Sequence, residues 1–142
     1  MAVDPELQQR REQVILEHMR SENEQRFDDT IATFAHPRYE LMASGEVYDG
    51  EEAVREYYRA GRELVPDQSN ELIAMYHSDD GVGIEMWLRG TPQRDDITGA
   101  RGFEIRMAAF FDFEGDRIVC ERAYWDRQTV FEQVLGEAEA PA

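Results

Sequence analysis

The stretch Gly102 to Gly136, GFEIRMAAFFDFEGDRIVCERAYWDRQTVFEQVLG, decides the fold. Two long runs rich in β-branched and aromatic residues flank an acidic turn containing Gly115, the pattern of a β-hairpin. With Glu114-Gly115 as a two-residue loop, Phe113 stands opposite Asp116, and the register runs through Phe111 with Ile118, Ala109 with Cys120 and Met107 with Arg122 to Phe103 with Asp126. Period-two alternation then places Phe103, Ile105, Met107, Ala109, Phe111, Ile118, Cys120, Arg122, Tyr124 and Asp126 on one face. That face is mostly apolar, so a carboxylate at its far end is costly to bury unless it is paired, protonated or used. Asp126 also precedes a helical pattern from Arg127, where aspartate is a favoured N-cap, and the two roles are compatible.

Upstream the chain reads as helical. Asp4-Pro5 opens a helix carrying Leu7, Arg11, Val14, Ile15, His18 and Met19 at helical spacing. Ser21 and Glu24 form a capping-box pattern for a second helix with Phe27, Ile31 and Phe34, ending before His36-Pro37. Short β segments follow at 38–42 and 47–49. Gly50-Glu51-Glu52 begins a third helix with Ala53, Val54, Tyr57, Tyr58 and Leu64 on its apolar stripe, closed by Pro66. Strands at 71–77 and 82–89 are joined by Ser78-Asp79-Asp80-Gly81, residues 90–101 read as a polar loop, and a closing helix spans 127–136. Helices followed by antiparallel strands indicate an α+β domain, one unit over residues 1–136 with a disordered tail at 137–142.

Composition excludes several functions. The chain of 142 residues has a formal net charge of −16, which repels nucleic-acid phosphates and anionic membrane surfaces. All fifteen basic residues are arginine, so lysine Schiff-base chemistry and a Walker-type phosphate lysine are excluded. The single cysteine, Cys120, reads as a small core residue. With no long apolar run and no leader pattern, the sequence predicts a soluble, cytoplasmic protein. No histidine pair and no recognised histidine–carboxylate spacing stands out, so neither a metal nor another cofactor is expected. His77 reads as a solvated strand end, and Glu85 lies with Gly83, Trp87 and Arg89 on an outer or subunit-facing side. Trp125, Val119, Phe110 and Ala108 fall opposite the Asp126 face, an apolar surface that suggests a homodimer.

The order of these features resembles a known family. Thr98-Gly99 precedes a long strand; Phe111, Phe113, Gly115 and Ile118 form a Phe-x-Phe-x-Gly-x-x-Ile hairpin; Glu121 to Asp126 reads Glu-Arg-x-Tyr-x-Asp; and Gln133 and Gly136 close the last helix. This run is similar to the SnoaL-like polyketide cyclases of the nuclear transport factor two-like superfamily, and the resemblance covers about 27–136. Gly90-Thr91 resembles the family's Gly-Thr-His segment, with Pro92 at the third position. The resemblance implies a cone-shaped α+β barrel in which three N-terminal helices pack on a strongly curved, mostly antiparallel sheet. Its open end would be a pocket walled by Phe27 or Ile31, Tyr57 or Tyr58, Met75, Met86, Phe103, Ile105 and Met107, suited to a bulky apolar small molecule. It further implies Asp126 as general acid/base, with a pKa raised by burial. By their own positions, Tyr124 could orient Asp126 or hydrogen-bond a ligand oxygen, Arg122 could pair with a carboxylate nearer the rim, and His36 could face the pocket as a base or satisfy a loop. The expected reaction is an intramolecular aldol cyclisation. Isomerase, epoxide hydrolase and non-catalytic binding roles use the same fold.

Overall fold

The computed structural model describes residues 3–93 and 101–136. Helix α1 (Pro5–Asn23) begins as the sequence predicts, with Pro5 in the first turn and the Asp4 carboxylate accepting from the Glu6 backbone N–H at 3.0 Å. It runs on through the expected second start. Ser21 is buried within it, its hydroxyl donating back to the His18 carbonyl at 3.0 Å instead of capping a new helix. The break comes at Gln25, at φ 57°, before α2 (Phe27–Ala32), whose N-cap Arg26 has no side-chain capping bond.

Strands β1 (Arg38–Leu41) and β2 (Glu46–Asp49) precede α3 (Glu51–Leu64), and β3 (Ser69–His77), β4 (Gly81–Gly90), β5 (Phe103–Glu114), β6 (Arg117–Tyr124) and α4 (Arg127–Leu135) complete the chain. The six strands form one sheet in the order β2-β1-β6-β5-β4-β3. All neighbours are antiparallel except β1 and β6, which run parallel. The expected α+β class is therefore the observed one: three N-terminal helices and a closing helix on a mostly antiparallel sheet. Thr98-Gly99, part of the polar loop at 90–101 and the tail at 137–142 lie outside the described residues.

The hairpin departs from the expected register in two steps with different consequences. Glu114 pairs with Arg117 and Phe113 with Ile118, so the loop is Gly115-Asp116, with Gly115 at φ 58°. This slip of two residues leaves every side chain on its expected face. Beyond Phe113 the pairing jumps to Asp112 with Cys120, which makes Val119 an extra residue, a β-bulge. Phe111 then opposes Glu121, Ala109 opposes Ala123 and Ala108 opposes Tyr124. One inserted residue inverts the alternation, so Glu121 and Ala123 turn inward and Arg122 and Tyr124 outward. The bulge separates two attachments of β6: Ile118 bonds the backbone of Thr33 and Ala35, whereas 121–123 pair with β1.

The main core gathers Ile15 and Met19 of α1, Val54 and Tyr58 of α3, and the inward residues Tyr39, Ile84, Phe111 and Ile118. A smaller cluster, Val65, Phe103, Ile105 and Val134, lies under α4, and Trp125 packs against both. Gly90 is required between β4 and this second cluster, because a Cβ there would lie 2.3 Å from Val65 Cγ1.

Candidate functional site

Between α1, α3, α4 and the inner face of the sheet lies a cavity of about 440 Å³. Met86, Met107, Phe103, Trp125 and Phe131 make most of its wall apolar, and Pro92 lies on it. The polar lining comprises His18, Glu22, Tyr39, Tyr57 and Glu121, with Gln68 and Asn70 besides.

His18 and Glu22 are four residues apart on α1 and share the face that carries Ile15 and Met19. Glu121 reaches them from β6 because the Val119 bulge has turned it inward. His18 Nε2 lies 2.7 Å from Glu22 Oε1 and 2.9 Å from Glu121 Oε1. Tyr39 Oη lies 3.3 Å from both Nε2 and Glu22 Oε1, and 2.6 Å from Tyr58 Oη. On the other side of the ring, Nδ1 lies 2.9 Å from Thr33 Oγ1. The Thr33 hydroxyl spends its proton on the Thr30 carbonyl at 2.6 Å, so toward the imidazole it accepts. Nδ1 is therefore a donor, and Nε2, facing two carboxylates, is a donor as well: His18 is an imidazolium. Phe34 and Phe111 flank it edgewise, both with ring centroids at 5.3 Å.

The electrostatics follow from this packing. His18 is 1% exposed and Glu121 6%. Burial alone pulls the imidazole pKa down, but Glu22 and Glu121 outweigh it and push it up to about 10. Burial raises the Glu121 carboxyl, with the His18 hydrogen bond opposing. Burial also raises the Tyr39, Tyr57 and Tyr58 phenols, which stay neutral donors. Among the described residues Tyr57 Oη makes no hydrogen bond, although its ring packs 5.0 Å from that of Tyr39.

The expectation that no histidine–carboxylate spacing occurs is corrected by His18 and Glu22, which with Glu121 bring their ligand atoms within 4.8 Å of one another. The His18–Glu121 contact has hydrogen-bond geometry, and the His18–Glu22 contact is an ion pair at 2.7 Å. A cation bound to all three groups would have to displace the Nε2 proton that Glu121 accepts.

Asp126 is not in the cavity. It is exposed and caps α4: Oδ1 accepts from the Gln128 and Thr129 N–H groups at 3.0 and 3.4 Å, and Oδ2 accepts from the Thr129 hydroxyl at 2.8 Å. The Thr129 hydrogen bond holds its pKa below the ordinary aspartate value, the reverse of the expected shift. Tyr124 and Arg122 face outward, where Tyr124 meets Phe110 edge-on at 5.7 Å and Arg122 pairs with Asp112. His36 is exposed and paired with Asp49. Of the expected wall, Tyr57, Met86, Phe103 and Met107 line the cavity. Tyr58, Ile31 and Met75 belong to the main core and Ile105 to the smaller one. Phe27 stacks on Tyr58 at 4.5 Å. Trp125, expected on the outer face, turns inward. His77 pairs with Glu12 at 2.8 Å, and Glu85 faces outward between Tyr76 and Arg106. Cys120 is buried and its thiol is pushed up to about 11 by desolvation, which keeps it protonated.

The sequence reading missed His18, Glu22, Tyr39 and Glu121. The four-residue spacing of His18 and Glu22 on an apolar stripe was an available signal, and so was a glutamate set in an apolar strand.

The SnoaL-like domain family model matches residues 15–121, a span holding every member of this cluster. Similar solved structures include a protein with a ketosteroid isomerase-like fold from Catenulispora acidiphila in complex with trimethylamine, 19% identical, with a TM-score of 0.77 over 91% of this chain and 97% of that one. A candidate SnoaL-like polyketide cyclase from Shewanella putrefaciens is 15% identical, with a TM-score of 0.75 over 92% and 97%. A candidate polyketide cyclase from Xanthomonas campestris is 19% identical, with a TM-score of 0.73 over 86% and 94%. No curated protein matches. The chain belongs to the SnoaL-like domain family.

Proposed function

We propose that this SnoaL-like protein is a small-molecule enzyme of the cyclase or isomerase type, with Glu121 as the general acid/base in place of Asp126. The observation that carries the reading is the cluster of buried Glu121 and His18 with half-buried Glu22 in the wall of a mostly apolar cavity. A desolvated carboxylate with a raised pKa is a stronger base than one in water and can hold the proton it removes. His18 fixes the carboxylate through Nε2, and Thr33 fixes His18. Tyr57 supplies a neutral phenol donor to the same cavity.

In the reaction that suits this arrangement, a C–H bond beside a substrate carbonyl breaks and its proton goes to Glu121. The electron pair moves onto the carbonyl oxygen, where the Tyr57 O–H stabilises the enolate. The enolate carbon then forms a C–C bond to a second carbonyl carbon of the folded substrate, and the new alkoxide takes the proton back from Glu121. Confinement in the cavity supplies proximity between the two carbonyls. The substrate is a bulky, largely apolar polyketide-like ester. Return of the proton to a different carbon makes the same machinery an isomerase.

The test is conversion of polyketide esters and enones, followed by mass spectrometry, with wild type, Glu121→Gln and Asp126→Asn side by side. Glu121→Gln is expected to lose on the order of a hundred- to ten-thousand-fold in rate, and Asp126→Asn to retain wild-type turnover. Equal turnover by wild type and Glu121→Gln eliminates Glu121 as the base. Ligand-induced thermal stabilisation without conversion in any of the three replaces the enzyme by a binding domain.

A further inference from the structure

The cluster that would supply the base also carries an unbalanced charge. His18 offers one positive charge against the two carboxylates of Glu22 and Glu121. Among the described residues no arginine lines the cavity. Arg62, on α3, donates to the Glu22 backbone carbonyl at 2.8 Å and lies over the Phe27 ring, with its Nε buried and unpartnered among the described residues; its charge acts on the Tyr57 phenol, and it forms no ion pair with either carboxylate. The other groups facing the cluster, Tyr39 from β1 and Tyr57 and Tyr58 from α3, are neutral phenols. With both glutamates ionised, the cavity wall has a net charge of −1, a costly state in a low-dielectric site unless a second proton or a cation offsets it.

One further polar atom, on Asn70, points the same way. Asn70 lines the cavity, and its Oδ1 is buried without a hydrogen-bond partner. The asparagine's backbone is satisfied by Asn23, which leaves this acceptor over. The wall thus offers a ligand three acceptors, two carboxylates and an unpaired amide oxygen, beside the Tyr57 phenol and the Gln68 amide. The same cavity is lined by the aromatic rings of Tyr57, Trp125, Phe103 and Phe131, and a cation that meets the face of such a ring is favoured over an anion. The overall charge of −16 biases diffusion in the same sense.

We infer that the substrate of this cavity is cationic: the hydrophobic carbonyl compound proposed above carries an amine whose protonated nitrogen sits against Glu22 and Glu121. This deepens the function proposed above and rests on it for the identity of the pocket. The ammonium donates N–H bonds to the carboxylates and offsets the charge that His18 leaves unbalanced. An opposite charge at this distance favours the ionised form of Glu121, so that a cationic substrate holds its own base in the active state. Carboxylate, phosphate and coenzyme A ligands are rejected by the same charge.

The test uses one skeleton with three charges: 1-adamantanemethylamine, 1-adamantanemethanol and 1-adamantanecarboxylate, titrated calorimetrically into the full chain. Two buffers of different ionisation heat report proton exchange, and high and low salt screen out attraction to the acidic surface. The amine is expected to bind about ten- to a hundredfold tighter than the alcohol at high salt, as a hydrogen bond to a charged group implies. Any proton exchange it causes should be a release, which the alcohol does not show, and the carboxylate should bind weakest. Glu22→Gln and Glu121→Gln should each shrink the amine's advantage while leaving the alcohol's affinity in place, which also checks that the variants are folded. Equal binding of all three, or preference for the alcohol or the carboxylate, overturns the inference and leaves the apolar pocket standing. An amine preference that vanishes at high salt, or survives both substitutions, also overturns it by placing the amine on the surface. Binding of none removes the pocket reading together with the inference.

Discussion

Raising the pH from 6.5 to 9 should destabilise this protein, and His18 should be the reason. The imidazole is fully enclosed and its pKa is pushed up to about 10 from an ordinary 6.5, burial opposing and the two glutamates prevailing. A raised folded pKa means that the native state keeps a proton the unfolded chain gives up. The stabilisation is complete below pH 6.5, the unfolded value, and is lost as pH climbs through the folded value. Within that window the native state binds about one proton more, so stability falls by about 1.4 kcal/mol per pH unit. From pH 6.5 to 9 this sums to about 3 kcal/mol as an order of magnitude, a sizeable part of the roughly 5 to 15 kcal/mol of a typical domain. The window stops at 9 because the buried Cys120 thiol, raised to about 11 from 9.0, adds a loss of the same sign above it. Glu121, also raised, has its own loss at lower pH, as its unfolded form ionises. The assay is urea unfolding at half-unit steps for wild type and His18→Gln. Wild type is expected to lose stability steeply and the variant, with no proton to release, to follow a much flatter line. Parallel slopes in the two proteins, or a wild-type stability that rises with pH, would refute the imidazolium assignment.

Two further outcomes separate roles that the sequence left joined. Asp126→Ala should lower stability by about 1 kcal/mol through loss of the α4 cap, visible as a lower urea midpoint, with no change in any turnover assigned to Glu121. The outward face carries Phe110, Tyr124 and Tyr76, exposed by 46%, 43% and 59%, and we propose that two copies of the chain meet there. Light scattering at micromolar concentration should give a dimer mass that Phe110→Glu reduces to the monomer; a monomeric wild type refutes the interface.

The sequence by itself determined what depends on neighbours along the chain. Asp4-Pro5 begins α1, and Asp126 caps α4, because a short side-chain oxygen meets the free N–H groups of the first turn. The apolar spacing of α1 and α3, the hairpin near Gly115 and the order of helices before strands are likewise local patterns, and they are enough for the fold class. Only the tertiary structure decided which residues face the cavity. Ile118 is tied to Thr33 and Ala35 while residues 121–123 pair with β1, and the two attachments leave Val119 over. That single extra residue exchanges Arg122 and Tyr124 for Glu121 and Ala123, an inversion that period-two alternation cannot detect because it assumes an unbroken ladder. The Glu121–His18 contact spans 103 residues of sequence, and it also decides the protonation of the histidine, since a pKa is set by the charges and burial that folding brings together.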